Sequence, residues 1–438
     1  MPPHRFVCLA LGFAMAATPV LAQEDMKAGA PTFKEGDVIT LDKLEQIKPF
    51  LPPEFWANRD FFFYEGMKLE IGPNFADYSP PPVYKQATEK YSPAVKLGPE
   101  NSLENYIAGQ PFPIEKIDCK GDPGAGAKVA WDFVQRWEGF GRAVGAHFYY
   151  SYWDRGEELP LYYEGTGGGV ALAFRPEPQF ADKKGDVFRD EKRYVASGPE
   201  VTAPFDARGI MLLTYRYKAS FGPKATTKND DTWVYVPTLR RVRRISSAQR
   251  TDAVSGTDFT FDDLFSFSGI VPQYEWQCLG EMDILAPINS KVKAYPYEKN
   301  HNFGPYGLSF ADDRWELRHA IKIRFVPQNA DHPYSKKDIY IDKNSGEPLY
   351  SFAYDRKGEL WKIIWHDHRW TGEPGYTEYT GWENVPEPRD DTVVSDIIVN
   401  VQTGTGNRIE FWDRSGTPMD NVGQIRRFID VGRLTKGR

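Results

Sequence analysis

The stretch KDIYIDKNSGEPLYSFAYDRKGELWKIIWH, Lys337 to His366, reads as three β-strands joined by two tight turns. The turns are Lys343–Gly346 and Asp355–Gly358, and each ends in a glycine that permits positive φ. Upstream, AIKIRFV alternates cleanly, with Ile321, Ile323 and Phe325 on one side and Lys322 and Arg324 on the other. GIMLLTYRYK and DTWVYVP add two strands before it, and DIIVNV and NRIEFWD add two after it. Consecutive strands on short connections predict a meandering antiparallel sheet.

The chain has 438 residues, a net charge of -7, and 12 Trp, 24 Tyr and 28 Phe. Aromatic residues favour strands, and Tyr and Trp also suit wet apolar clefts. Residues 1–22 read as a secretory leader: Arg5, a short apolar run, and a cleavage point after Ala22. Export predicts a periplasmic location. Two cysteines remain after cleavage, Cys119 and Cys278, and an even count in an exported chain predicts one disulfide. Two separate buried thiols are the alternative. The 34 prolines and the long polar connectors argue against a membrane barrel.

A helix is predicted from Leu41, with Asp42 and Glu45 as a capping box and Leu44, Ile47 and Leu51 on one face. Gly72 to Pro113 reads as an extended proline-rich arm. AGAKVAWDFVQRWEGF is the strongest helix, carrying Ala130, Phe133, Val134 and Trp137 at helical spacing. Arg240, Arg241, Arg243 and Arg244 occupy a strand returning from a turn at Pro237 to Leu239. TFDDLF then reads as a helix start capped by Thr260, with Asp262 and Asp263 in its first turn.

Motifs for chemistry are sparse. GDPGAGAKVA lacks the Lys-Ser/Thr of a phosphate loop, and EGTGGGVAL reads as a flexible turn. WHDHRW puts His366 and His368 on one strand face with Asp367 pointing away. Two ligands are too few for zinc without distant partners, so no metal and no catalytic residue is predicted. Export and negative charge exclude nucleic acid as a partner, and no cofactor is predicted.

At WVYVPTLRRVRRISSAQRTDAVSGTDFTFDDL the chain resembles the LolA/LolB-like proteins that sort outer-membrane lipoproteins. The matching residues are Trp233, Tyr235, Pro237, Arg243, Arg244, Ile245, Gly256, Thr257, Asp258, Phe259 and Asp263; YIDKNSGEPLY fits as well. As a whole the chain resembles a bacterial periplasmic family, the domain-of-unknown-function 1329 family. GDVITLDKLEQIKPFLPPEF and NRIEFWDRSGTPMDNVGQIRRFIDVGRLTKGR carry that likeness. The resemblance implies an α+β, mainly antiparallel fold: an incomplete, half-open LolA-like β-barrel with covering helices and a long N-terminal arm. The expected layout is leader 1–22, helix and arm 23–120, and barrel domain 121–438. The implied function is carriage of a lipid or other hydrophobic amphiphile, without catalysis, serving envelope transport. An inner-membrane export transporter or an outer-membrane protein is the implied protein partner. An assembly partner of an export complex, or a secreted hydrolase using His366 and His368, are the alternatives. For a carrier, Trp233, Tyr235, Arg241 and Arg243 would line the cavity and its rim. Phe259, Phe261, Leu264 and Phe265 would form a plug whose acids pair with the arginines.

Overall fold

The computed structural model describes residues 29–245, 250–291, 301–373, 389–413 and 417–436. The leader, residues 1–22, lies outside the described residues. Among the described residues fourteen strands of four residues or more carry the architecture. In chain order they are β1 Ala143–Asp154, β2 Glu157–Ala171, β3 Arg193–Ser197, β4 Glu200–Ala203, β5 Met211–Tyr217, β6 Asp231–Val236 and β7 Arg241–Ile245. Then follow β8 Tyr274–Ala286, β9 Arg314–Pro327, β10 Lys336–Asp342, β11 Pro348–Tyr354, β12 Leu360–Trp370, β13 Asp391–Asn400 and β14 Thr405–Asp413. The pairing runs β8 to β14 in sequence, then β1, β2, β3 with β4, β5, β6 and β7, all antiparallel. Each strand expected from sequence is present. Among the described residues five short α-helices accompany the sheet: α1 Pro53–Ala57, α2 Pro82–Tyr91, α3 Ala125–Val134, α4 Val422–Phe428 and α5 Arg433–Lys436. None of the described helices is long and apolar enough to cross a membrane.

Alternation along the strands gives the sheet two apolar faces. One carries the cross-strand row Tyr340, Tyr350, Trp365 and Ile397. The N-terminal arm covers it. Phe55 of α1 lies 5.2 Å from the Tyr350 ring and 4.9 Å from Trp365, and Phe62 stacks on Phe55. The other face carries Ile323, Ile339, Ser351, Ile364 and Ile398 in register. Its β9–β10 end packs under Val129, Trp131 and Phe133 of α3. Burial on both faces leaves β13 buried along its whole length and β12 along most of it, polar residues included.

α3 lies so close to β8 that a Cβ on Gly126 would sit 2.5 Å from the Gln277 backbone. Close packing accounts for this glycine, which lies inside α3. Cys119 and Cys278 form the expected disulfide beside it, with Cα atoms 5.1 Å apart. At the opposite end of the sheet α4 and α5 lay Ile425, Phe428 and Leu434 against Leu213, Tyr215 and Tyr235. Asn421 caps α4 by accepting from the Gly423 and Gln424 amides.

Four local expectations need correction. The helix at Leu41 is two 3₁₀ turns, Leu41–Gln46 and Lys48–Phe50. Pro49 lies in the second, and Leu44, Ile47 and Leu51 are still buried, as is Phe50. The proline-rich arm is not wholly extended, because Pro81 and Pro82 open α2. EGTGGGVAL is no turn but the interior of β2. A Cβ on Gly165 would meet the Glu200 carbonyl at 2.1 Å, so the glycine admits β4. TFDDLF does not start an α-helix; it forms an isolated bridge between Ala253 and Thr260 and a single 3₁₀ turn, Leu264–Ser266.

Candidate functional site

The segment 254–268 lies across β12, β13 and β14 on the face opposite the N-terminal arm. Phe259 is buried against Ile364, Ile398, Ile409 and Tyr150. The rest of the contact is polar. Asp258 accepts from Asn400 Nδ2 at 2.7 Å and from Thr405 Oγ1 at 2.6 Å, and its carbonyl accepts from Lys362 Nζ at 2.6 Å. Asp263, 1% exposed, is the centre. Lys337 Nζ stands 2.9 Å from one carboxylate oxygen and Lys362 Nζ 3.2 Å from the other, where Tyr334 and Thr260 hydroxyls also donate at 2.6 and 2.9 Å.

Burial alone would raise the Asp263 carboxyl. The two ammonium groups reverse this and hold it well below the ordinary carboxylate range. One carboxylate cannot neutralise two ammoniums. Burial accordingly pushes the Lys337 ammonium below the usual lysine value, with Asp263 opposing it.

A second attachment lies beyond it. Ser266 Oγ is 2.6 Å from His366 Nε2, and His366 Nδ1 is hydrogen-bonded to the Asp396 carboxylate. The Phe265 amide donates to the other Asp396 oxygen at 3.4 Å. Phe265 and Ser266 hold φ of 51° and 66°, a left-handed region that costs a residue with a side chain. These bonds over-determine that turn. Serine, histidine and aspartate in this order are the parts of an acyl-transfer relay. Here Ser266 and His366 are fully buried, and the serine rides on the segment while its partners stand on β12 and β13.

The outer end of the segment is tied by a largely buried ionic network. Arg250 donates to Asp262 at 2.6 Å, to Asp230 at 2.8 Å and to the Ser268 carbonyl at 2.5 Å. Arg216 shares both Asp230 and Ser268. Beside it opens a cleft of about 430 Å³ bordered by Asp262, Gly269, Tyr274 and His332.

The residues singled out from sequence divide into three groups. Trp233 and Tyr235 pack with α4 and α5, in a different core from Phe259. Arg241 and Arg243 are exposed on β7, the last strand of its end of the sheet. Phe259 is buried, Leu264 and Phe265 are half-buried, and Phe261 is 41% exposed. The segment's acids do not pair with the four-arginine strand. Their cations are Lys337, Lys362 and Arg250, while Arg244 pairs with Asp231. Sequence reading missed Lys337, Lys362, Ser266 and Asp396. His366 is taken by Ser266 and Asp396, and His368 Nδ1 faces the Pro287 carbonyl at 3.4 Å.

A broad antiparallel sheet with few helices, one face closed by a latched non-helical segment, defines the class: an α+β protein built on one large β-sheet. The chain belongs to the DUF1329 family, described as proteins of unknown function, whose profile matches residues 38–423. An uncharacterized protein of Pseudomonas aeruginosa is 24% identical over 337 residues, covering 74% of this chain and 67% of that protein. A DUF1329 family protein from Desulfovibrio piger is similar in structure at 17% identity and a TM-score of 0.45, covering 72% of this chain and 99% of that one. A putative outer membrane lipoprotein-sorting protein domain from Vibrio parahaemolyticus matches at 18% identity and a TM-score of 0.43, over 70% of this chain and 100% of that one. A LolA superfamily protein from Nitrosomonas europaea matches at 10% identity and a TM-score of 0.32, over 62% of this chain and 84% of that one.

Proposed function

We propose that the chain is a periplasmic carrier for an anionic amphiphile, with a half-open barrel closed by residues 254–268. The observation that carries this reading is the Asp263 carboxylate held between Lys337 and Lys362 at the end of an apolar floor. The segment has no strand ladder to the sheet among the described residues. Each of its ties involves a side chain rather than a backbone ladder, so the segment can leave without breaking β12 or β13. Its departure would uncover Ile364, Ile398 and Ile409 and free two ammonium groups. A fatty acid or phospholipid could then lay its chain on the isoleucines and its head group where Asp263 was. Burial of each methylene contributes about 0.8 kcal/mol, enough to hold a long chain without chemistry. In this reading the segment competes with the ligand for one site. Delivery would be to an envelope component, an export transporter or an outer-membrane protein.

The Ser266–His366–Asp396 array favours a second reading, a hydrolase. It is the weaker one, because opening the segment carries Ser266 away from His366. The relay would be broken in the state that admits substrate. Titration with a fluorescent fatty acid tests the carrier. It should bind, and the matching fatty alcohol should bind at least about 10-fold more weakly, since a charged hydrogen bond contributes roughly 1.5–3 kcal/mol. Equal affinity for acid and alcohol, or no binding of either, would contradict the proposal.

A further inference from the structure

Asp367 faces away from the latch, and two other groups meet it there. Its neighbours His366 and His368 point to the segment side of β12, so strand alternation sends Asp367 to the side of Trp365 and the N-terminal arm. There the ligand atoms of Asp367, Asp313 and His301 lie within 4.8 Å of one another. Asp313 and Asp367 are 5% and 1% exposed, and the His301 side chain is 5% exposed.

We infer that His301, Asp313 and Asp367 form a binding site for a divalent transition-metal ion of the zinc class, unconnected with the carrier face. Three observations carry this. First, two carboxylates are buried together, and among the described residues neither forms a salt bridge with a lysine or arginine. Two neighbouring buried carboxyl groups cannot both ionise unless a cation joins them. Second, among the described residues Asp367 Oδ1 is buried and has no hydrogen-bond partner, a vacant ligand atom in a packed interior. Third, His301 Nδ1 stands 3.8 Å from Asp313 Oδ2. That is too long for a hydrogen bond, but close to the separation of two ligands on one ion with bonds of about 2.0–2.2 Å.

Asp313 is already oriented for the task. The Lys291 and Arg314 amides donate to its Oδ1 at 3.2 and 2.7 Å, and Ser290 Oγ donates to its Oδ2. Such outer partners fix a ligating carboxylate. One imidazole and two carboxylates suit zinc, and three protein ligands leave the remaining position to water. The ion would tie β12 to the start of β9 and to the chain at His301, a structural clamp beneath the N-terminal arm.

The test uses the full chain, stripped with a chelator and then given zinc alone. Elemental analysis should find one bound zinc ion per chain, and the melting temperature should rise. Asp367→Asn keeps the shape and removes one of the two facing acids. Without metal it should melt no lower than the stripped wild type, while its zinc affinity falls by more than about 100-fold, beyond what loss of an outer partner costs. His301→Ala should lose zinc in the same way, and His319→Ala, altering an exposed histidine, should keep it. Zinc retained by Asp367→Asn, or no zinc bound by the wild type, would overturn the inference.

Discussion

Lys337 Nζ lies 2.9 Å from Asp263 Oδ1, and both side chains are shut away from water although 74 positions separate them in sequence. The lysine belongs to the sheet and the aspartate to the segment that crosses it. Their pairing makes closure of this face an electrostatic event as much as an apolar one. Removing one partner of a buried pair strands the other charge, at a cost of about 3–5 kcal/mol.

Asp263→Ala should therefore release the segment before it unfolds the protein. Limited proteolysis should cut between residues 254 and 268 while circular dichroism still reports a folded sheet. Loss of the sheet together with the segment would mean that the latch is part of the global core.

The aromatic residues of the segment should behave unequally. Phe259 fills the floor against Ile364 and Ile398, so Phe259→Ala should cost about 3–5 kcal/mol in chemical denaturation. Phe261 is 41% exposed, and Phe261→Ala should change stability by no more than about 0.5 kcal/mol. Equal losses would place both rings in the core.

The β7 arginines are a separate matter. Arg241 and Arg243 are exposed at the end of the sheet, so replacing both by Ala should leave the denaturation midpoint within about 0.5 kcal/mol of wild type. If they attract an anionic ligand to the protein, the association rate should fall and its salt dependence should flatten. Unchanged kinetics would leave them no part in capture.

Glu347 should make the protein less stable as the medium becomes alkaline. Arg136 is shared between Glu347 and Glu138, at 2.9 and 3.1 Å. Burial, only partly offset by Arg136, pushes the Glu347 carboxyl up to about 8, and burial pushes Glu316 to about 7. The folded state thus holds these protons more tightly than the unfolded chain. Their contribution is complete below the ordinary glutamate value and is lost as pH rises toward about 8. Asp263 titrates below this window and leaves the slope unaltered. Melting temperature should fall between about pH 5 and about pH 8, and Glu347→Gln, which mimics the protonated group, should reduce the fall. An identical slope in the variant would remove Glu347 from the account.

Much of this fold was legible because the strands alternate and their turns carry glycine. Ile321, Ile323 and Phe325 announce β9, and the hairpins of Lys337–His366 sit where their turns put them. The latch was harder to read. Lys337 stands in phase with Ile339, and Lys362 and His366 in phase with Ile364, so polar groups, two of them lysines, occupy apolar-face positions. That is a visible signal for a buried ionic contact, but alternation does not say which segment supplies the counter-charge. Arginine density near Asp262 and Asp263 suggested a local pairing instead. TFDDLF carries the composition of a helix start. Tertiary bonds to Lys337, His366 and Asp396 hold it in a left-handed turn that no local propensity favours.

Hydrogen exchange over residues 254–268, compared with β9 around Ile323, tests the carrier account most directly. In the protein alone the segment should exchange well before β9, as an element that opens without global unfolding. Addition of a fatty acid should speed its exchange further, because the head group takes the lysines from Asp263, while the matching alcohol should do so far less. If the segment is as protected as Ile323 and no amphiphile alters it, the segment is core and the carrier mechanism is wrong.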